Sequence, residues 1–335
     1  MSKAASSRAR AALASAIVIA AAGLAACDAE QKEANAAANA VELARYLPED
    51  TEFLRTVDVV RARDELELPE EANALPTSNK TFPRPGSPEA TLFKVTSGAY
   101  PDVSAVFAAD FNGRGASPLD GTLIRAAAGG GQGVSIVSTA EPIDDIDRKL
   151  ELAGYSLEGR FYEAGDETPE AASRFVADAG NGRIVFAAEL RYAREVLRRI
   201  RNEAAPGRAA EALEPASGSV RLAVTNREKR DCVTAFAAAM EATSEGAALA
   251  LIIDGDKPEP ERFDRRALTG IATGTPTVLV DALLVPIRVK KPVEDGLDAV
   301  DQVVVADDAR RGRSDESRQG ALAFEPAPFD SYKCP

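Results

Sequence analysis

The chain of 335 residues has no histidine and no tryptophan. Without histidine, Ser-His-Asp and Cys-His catalytic arrangements are excluded, and so is any histidine-ligated metal. Aromatic residues reach only 5%, with 2 methionines and 3 cysteines. So few rings leave little material for stacking against sugars or flat ligands. The core must therefore rest on Ala, Val, Leu and Ile. Positive charge is also short: Lys+Arg number 40 against 53 Asp+Glu, a formal net of −13. Such a chain is not built for nucleic acid, nor for anionic lipid through its overall charge. Long hydrophobic runs are scarce as well. One run, residues 11–26, is about 16 residues long, mostly alanine, and short of the ~20 needed to span a bilayer.

That run is what the chain does have. Basic Lys3, Arg8 and Arg10 precede it, Leu24-Ala25-Ala26-Cys27 closes it, and polar Asp28, Glu30, Gln31, Lys32 and Glu33 follow. A basic start, a short apolar stretch and small residues before a cut describe a secretory signal. With a cysteine directly after the cut, the segment resembles the bacterial lipoprotein lipobox. The resemblance implies that residues 1–26 are removed, that Cys27 becomes a diacylated mature N-terminus, and that the protein is held at the extracytoplasmic face of a membrane. A plain signal peptide or an uncleaved anchor are the competing readings. Losing the signal removes three basic residues and no acidic one, so −13 becomes −16 in the mature chain. Two acyl chains give stable anchoring where one is marginal.

If Cys27 carries lipid, Cys232 and Cys334 remain, outside the cytoplasm, where disulfides persist. A Cys232–Cys334 bridge is the expected arrangement, with one buried and one tail thiol as the alternative. The bridge would pin a loose tail to the body.

Residues 27–40 read as a lipidated tether: 28–40 lack large apolar side chains, and thirteen such residues average on the order of 20 Å end to end when flexible. An α+β domain is expected over 41–225, with a long Pro-rich loop at 69–88. A second α+β unit is expected over 226–306, and a mostly irregular tail over 307–335. Strands are expected at 53–60, 103–111, 122–128, 134–138, 157–163, 175–179, 183–187 and 220–225. Gly129-Gly130-Gly131-Gln132-Gly133 and Gly180-Asn181-Gly182 read as hairpin turns. Helices are expected at 142–153 and 190–201, where apolar residues recur at helical spacing. The second unit reads as helix 229–243, strand 248–253, helix 260–271 and strands across 276–289 and 302–306. From residue 134 the order strand, helix, strand, strand, helix, strand is the split βαβ, or ferredoxin-like, order. The fold class expected is α+β, with ferredoxin-like antiparallel units and helices on one face.

Tyr46-Leu47-Pro48-Glu49-Asp50 before a strand, and a hairpin followed by a helix over 175–201, also loosely resemble uncharacterised extracytoplasmic lipoproteins of high-GC bacteria. That resemblance implies α+β structure and no particular activity.

No motif for chemistry stands out. The glycine run at 129–133 leads into strand-like Val134-Ser135-Ile136-Val137, whereas a P-loop ends in Gly-Lys-Ser/Thr and opens a helix. Asp144, Asp145 and Asp147 sit where carboxylates complement a helix dipole. Asp254-Gly255-Asp256, with Glu259 and Glu261, reads as a turn, weak Ca²⁺ binding being the sharper alternative. Thr77-Ser78-Asn79-Lys80 lacks the Ser-x-x-Lys spacing. Arg191, Arg194, Arg198 and Arg199 read as a solvated helix face, or as a docking face for an acidic partner.

The expectation is a membrane-anchored, extracytoplasmic lipoprotein acting as a non-enzymatic binding or assembly module of the cell envelope. It implies no catalytic residue, no cofactor, no metal and no nucleic acid. Its partners would be the membrane, through lipid on Cys27, and an envelope protein. The alternatives are a solute-binding lipoprotein of a transporter and, less favoured, a carboxylate-based envelope hydrolase.

Overall fold

Hairpin turns set the architecture. At Gly180-Asn181-Gly182 all three residues hold positive φ (79°, 55° and 67°). A Cβ at Gly182 would run into the Thr139 carbonyl oxygen, so glycine is required there on both counts. The Asp178 side chain accepts from the Gly180 N–H at 2.8 Å. The turn brings β6 (Phe175–Asp178) onto β7 (Arg183–Ala187). The glycine run expected as a turn likewise joins β2 (Ile124–Gly130) to β3 (Val134–Thr139), with Gly130 opposite Val134.

The computed structural model describes residues 39–74, 84, 87–99, 119–130, 133–165, 173–215, 217–225, 232–241, 246–253, 258–264, 272–279, 282–288 and 332–334. Outside them lie Cys27, nearly all of the tether, most of the 69–88 loop with Thr77–Lys80, the strands expected at 103–111 and 302–306, Asp254-Gly255-Asp256, and the tail to residue 331.

The remaining strands are β1 (Phe53–Asp58), β4 (Tyr155–Glu158), β5 (Phe161–Ala164), β8 (Val220–Thr225), β9 (Val233–Met240), β10 (Gly246–Ile253), β11 (Ala272–Thr273), β12 (Thr277–Val278) and β13 (Ala282–Arg288). They form one antiparallel 13-stranded sheet in the order β11-β13-β10-β9-β8-β1-β2-β3-β7-β6-β5-β4, with β12 also on β13. The fold is therefore α+β and dominated by an antiparallel sheet. β8 bonds β1 on one side and β9 on the other. The segments on either side of residue 225 thus share a single sheet.

Six helices accompany the sheet among the described residues: α1 (Ala40–Ala44), α2 (Val59–Glu65), α3 (Pro88–Ala99), α4 (Ile143–Leu152), α5 (Leu190–Arg201) and α6 (Arg208–Leu213). Caps explain two starts. Asn39 accepts from the Val41 N–H, and Asp58 from the Arg61 N–H, both at 3.0 Å.

Four details depart from the sequence reading. Helices cover both faces of the sheet, not one: α1, α5 and α6 contribute to one buried cluster, and α2, α3 and α4 to the other. A central sheet has two apolar faces, and each must be covered. The ferredoxin-like order is not reproduced, because the stretch read as one strand at 157–163 is two. It turns at Gly159, whose φ is +68°, so four strands separate α4 from α5, where three were expected and the ferredoxin-like order has two. The segment read as helix 229–243 contains β9 instead. Its alternation decides the matter: Ala235, Ala237 and Ala239 belong to one buried cluster, and Phe236 and Ala238 to the other. Helix 260–271 is, in its described part, one 3-10 turn at Pro260–Arg262.

The clusters on the two faces differ in kind. Of the 24 buried residues in the cluster under α1, α5 and α6, 14 are alanine. Of the 30 in the opposite cluster, 4 are. α6 carries Ala209, Ala210 and Ala212 inward, onto the alanines of β8 and β9, so short side chains meet short side chains. The opposite face holds Phe186, Phe236, Leu249, Leu251, Leu283 and Tyr155.

Candidate functional site

Cys232 and Cys334 form a disulfide, with Cα atoms 5.6 Å apart across 102 residues of sequence. The residues beside it complete a clasp. Tyr332 bridges Phe263 in an antiparallel pair, its hydroxyl accepts from the Glu259 N–H at 2.9 Å, and the Lys333 N–H donates to the Arg262 carbonyl at 3.0 Å. Tyr332 is itself buried in the large-residue cluster. The C-terminus is thus fastened by packing and by main-chain bonds as well as by the bridge.

Polar groups that could carry chemistry are engaged structurally. Arg63 is 3% exposed and donates to the carbonyls of Ala72, Gly121, Thr122 and Ile124. A buried guanidinium satisfied in this way ties two loops to α2. Glu141, also buried, pairs with Lys149 and accepts from the Asp120 N–H at 2.7 Å. The Tyr155 hydroxyl donates to the Ser173 carbonyl at 2.7 Å, and burial pushes its phenol pKa upward. Tyr162 is pushed up to about 12, first by burial and then by Asp147. Asp58 is raised by burial, against the pull of Arg61 and Arg221. Asp144 and Asp145 occupy the first turn of α4, and Asp145 pairs with Arg148 at 2.9 Å. Among the described residues no group of three or more His, Cys, Asp or Glu could hold a metal ion.

The surface feature that stands out is α5. The sequence LRYAREVLRRIR places Ala193, Val196 and Arg199 against the sheet. Arg191, Arg194, Arg198 and Arg201 are exposed. At 100° per residue these four lie within about 80° of one another on the outer side, along about 15 Å of axis. Of the four arginines read as one polar face, Arg199 is thus turned inward. It is 5% exposed and donates to the carbonyls of Arg45 and Ala205 at 3.0 and 2.6 Å. Arg201 takes its place in the stripe. The last-turn arginines also complement the helix dipole.

Carboxylates only partly offset the stripe. Glu189 pairs with Arg191 at 2.8 Å, and Glu195 lies 3.9 Å from Arg198. Arg191 also lies over the Tyr192 ring, 4.6 Å from its centroid. Residues 183–208 hold seven arginines and three glutamates, a local net of +4 in a chain of −13. Beside α5, the end of α1 carries a smaller cluster. Arg45 and the Tyr46 hydroxyl bond Glu42, both at 3.0 Å, and Arg183 lies 5.6 Å from the centre of the Tyr46 ring. Sequence reading found the stripe from its spacing. It had no signal for Arg63 or for the inward turn of Arg199, since both depend on carbonyls from distant segments.

Among the described residues no helix is long and apolar enough to cross a membrane. No family model matches the chain, and no curated relative matches it. Among solved structures it is similar to crystal form III of TP0453, at 10% identity over 73% of this chain and 93% of that one, with a TM-score of 0.38. Crystal form I of TP0453 gives 11% identity over 77% and 95%, with a TM-score of 0.37. A likeness at that level assigns neither activity nor partner.

Proposed function

We propose that the protein is a membrane-anchored extracytoplasmic lipoprotein and serves the cell envelope as a non-enzymatic binding or assembly module. The observation that carries this reading is Leu24-Ala25-Ala26-Cys27 at the end of a basic-then-apolar leader. The cysteine pairing supports it: Cys232 and Cys334 are joined to each other, which leaves Cys27 free to carry lipid. A disulfide also suits an oxidising compartment. The composition favours a module over an enzyme, since histidine is absent and the buried Arg63, Glu141 and Arg199 are spent on holding loops and helices.

The transporter-subunit alternative expects two lobes of parallel βα units, whereas among the described residues every strand pair is antiparallel and all lie in one sheet. Replacing Cys27 by Ser tests the anchor. The wild-type protein should fractionate with membranes and the Cys27→Ser protein should not enter the acylation pathway. Metabolic labelling with a fatty acid that marks both proteins equally would sink the proposal.

A further inference from the structure

The mature charge of −16 sets most of this protein against an anionic bilayer, yet one outward helix face has the opposite sign. Arg191, Arg194, Arg198 and Arg201 share the outer side of α5, within a segment of local net +4. We propose that this stripe docks the body onto the anionic phospholipid headgroups of the membrane that anchors it, which fixes the orientation of the sheet above that membrane. The proposal rests on the lipid-anchor reading.

Three observations favour headgroups as the occupant. The first is where the anchored chain arrives. Asn39, the cap of α1, stands twelve residues after Cys27, and α1 belongs to the same sheet face as α5. Arg199, on the underside of α5, donates to the Arg45 carbonyl at the end of α1. The tether therefore enters the sheet face that carries α5, and a link of that length keeps the stripe at high effective concentration over the surface.

The second is charge complementarity. Each arginine near an anionic surface strengthens binding by roughly fivefold. Glu189 and Glu195 compensate only Arg191 and Arg198, and surface pairs of that kind are weak and readily exchanged.

The third is the lack of an apolar centre on this face. The exposed large apolar residues among those described are Val60, Ile143, Leu152, Leu157 and Leu279, none of them on α5. A protein interface is built around buried apolar and aromatic anchors. A headgroup layer asks only for cations. Docking of this type is peripheral and released by salt.

The test uses the full lipidated protein, reconstituted on vesicles of phosphatidylcholine alone or with an equal part of phosphatidylglycerol. Flotation reports the anchor, and arginine modification by phenylglyoxal, read residue by residue by mass spectrometry, reports the docking. Arg148, on α4 across the sheet and well exposed, is the internal control. The expected result is flotation with both vesicles, with labelling of Arg194 and Arg201 slowed roughly fivefold or more on the anionic ones. High salt should restore that labelling, and Arg148 should be unaffected throughout. Flotation with both vesicles but equal labelling overturns the docking and leaves the anchor standing. Flotation with the anionic vesicles alone, with the stripe protected, overturns the anchor and keeps the stripe as a lipid contact. Failure to float with either removes both. Protection in native envelopes that is absent on the anionic vesicles assigns the stripe to an acidic protein and overturns the lipid assignment.

Discussion

The two faces of the sheet solve the same problem with different side chains. Beneath α2, α3 and α4 the buried cluster is mostly large: Phe186, Phe236, Leu249, Leu251 and Leu283. Beneath α1, α5 and α6 more than half of the buried residues are alanine. Alanine removes little apolar area from water, but it loses no side-chain entropy on burial and lets a helix approach the strands closely. The large face gains its stability from area, and the alanine face from fit. The difference also separates roles. Arg63 locks loops onto the large-residue side, while the small-residue side presents the arginine stripe of α5. The alanines of β8 and β9 lie under α6, whereas α5 packs on β6 and β7, which contribute Phe175, Val185 and Ala187 to the cluster.

Substitutions at neighbouring positions of β9 test this contrast directly. Phe236 is fully buried in the large cluster, and Phe236→Ala should leave a cavity and cost about 3–5 kcal/mol in denaturant unfolding. A loss under 1 kcal/mol would mean that this face collapses readily and is no jigsaw. Next door, Ala237 is 0% exposed on the other face, so Ala237→Leu should cost roughly 1–3 kcal/mol by overpacking. If Ala237→Leu stabilises the protein, the alanine face contains unused volume and the contrast fails. The pair should respond oppositely to a helix change. Shortening Leu213 to Ala in α6 should relieve part of the Ala237→Leu cost and none of the Phe236→Ala cost.

The smallest effect is expected at the C-terminal end of β1, where Asp58 caps α2. Asp58→Ala should lose about 1 kcal/mol with the cap, whereas Asp58→Asn keeps the cap and removes a charge. Burial raises the Asp58 pKa in the folded state, so the folded protein holds the proton more tightly than the unfolded chain. Stability from this carboxyl is therefore greatest below its unfolded pKa and falls as pH rises through the folded one. The Asp58→Asn protein should gain on wild type across that window, measured as the difference in unfolding midpoints. A difference that is flat with pH would place the Asp58 carboxyl in ordinary solvent.

Much of the α+β reading was legible because local rules governed it. α5 matches the helix read from its apolar spacing, and the Gly180-Asn181-Gly182 turn follows from residues that accept positive φ. β9 was misread for a physical reason. The run Ala235-Phe236-Ala237-Ala238-Ala239 has high helix propensity, and its period of two is hard to see when both phases are mostly alanine. Neighbouring strands β8 and β10 supply hydrogen bonds on both edges, and that tertiary pairing outweighs propensity. The strands at 155–164 were merged because Gly159-Arg160 is a weak turn signal. Even merged, they leave three strands between the two helices, one more than the ferredoxin-like order has. The arginine stripe was visible as spacing, but its membership was not. Arg199 rather than Arg201 points inward because the Arg45 and Ala205 carbonyls need a donor there.

By itself, the sequence determined the basic-then-apolar run closed by Leu24-Ala25-Ala26-Cys27, the absence of histidine, the helix of α5 and the main hairpins. These depend on residue type and short-range spacing. Only the tertiary structure decided that one sheet runs through both halves of the chain, that helices cover both its faces, and that one face is alanine. It also put α1 on the same sheet face as α5. Such relations join residues far apart in sequence, and they are fixed by which apolar surfaces bury each other.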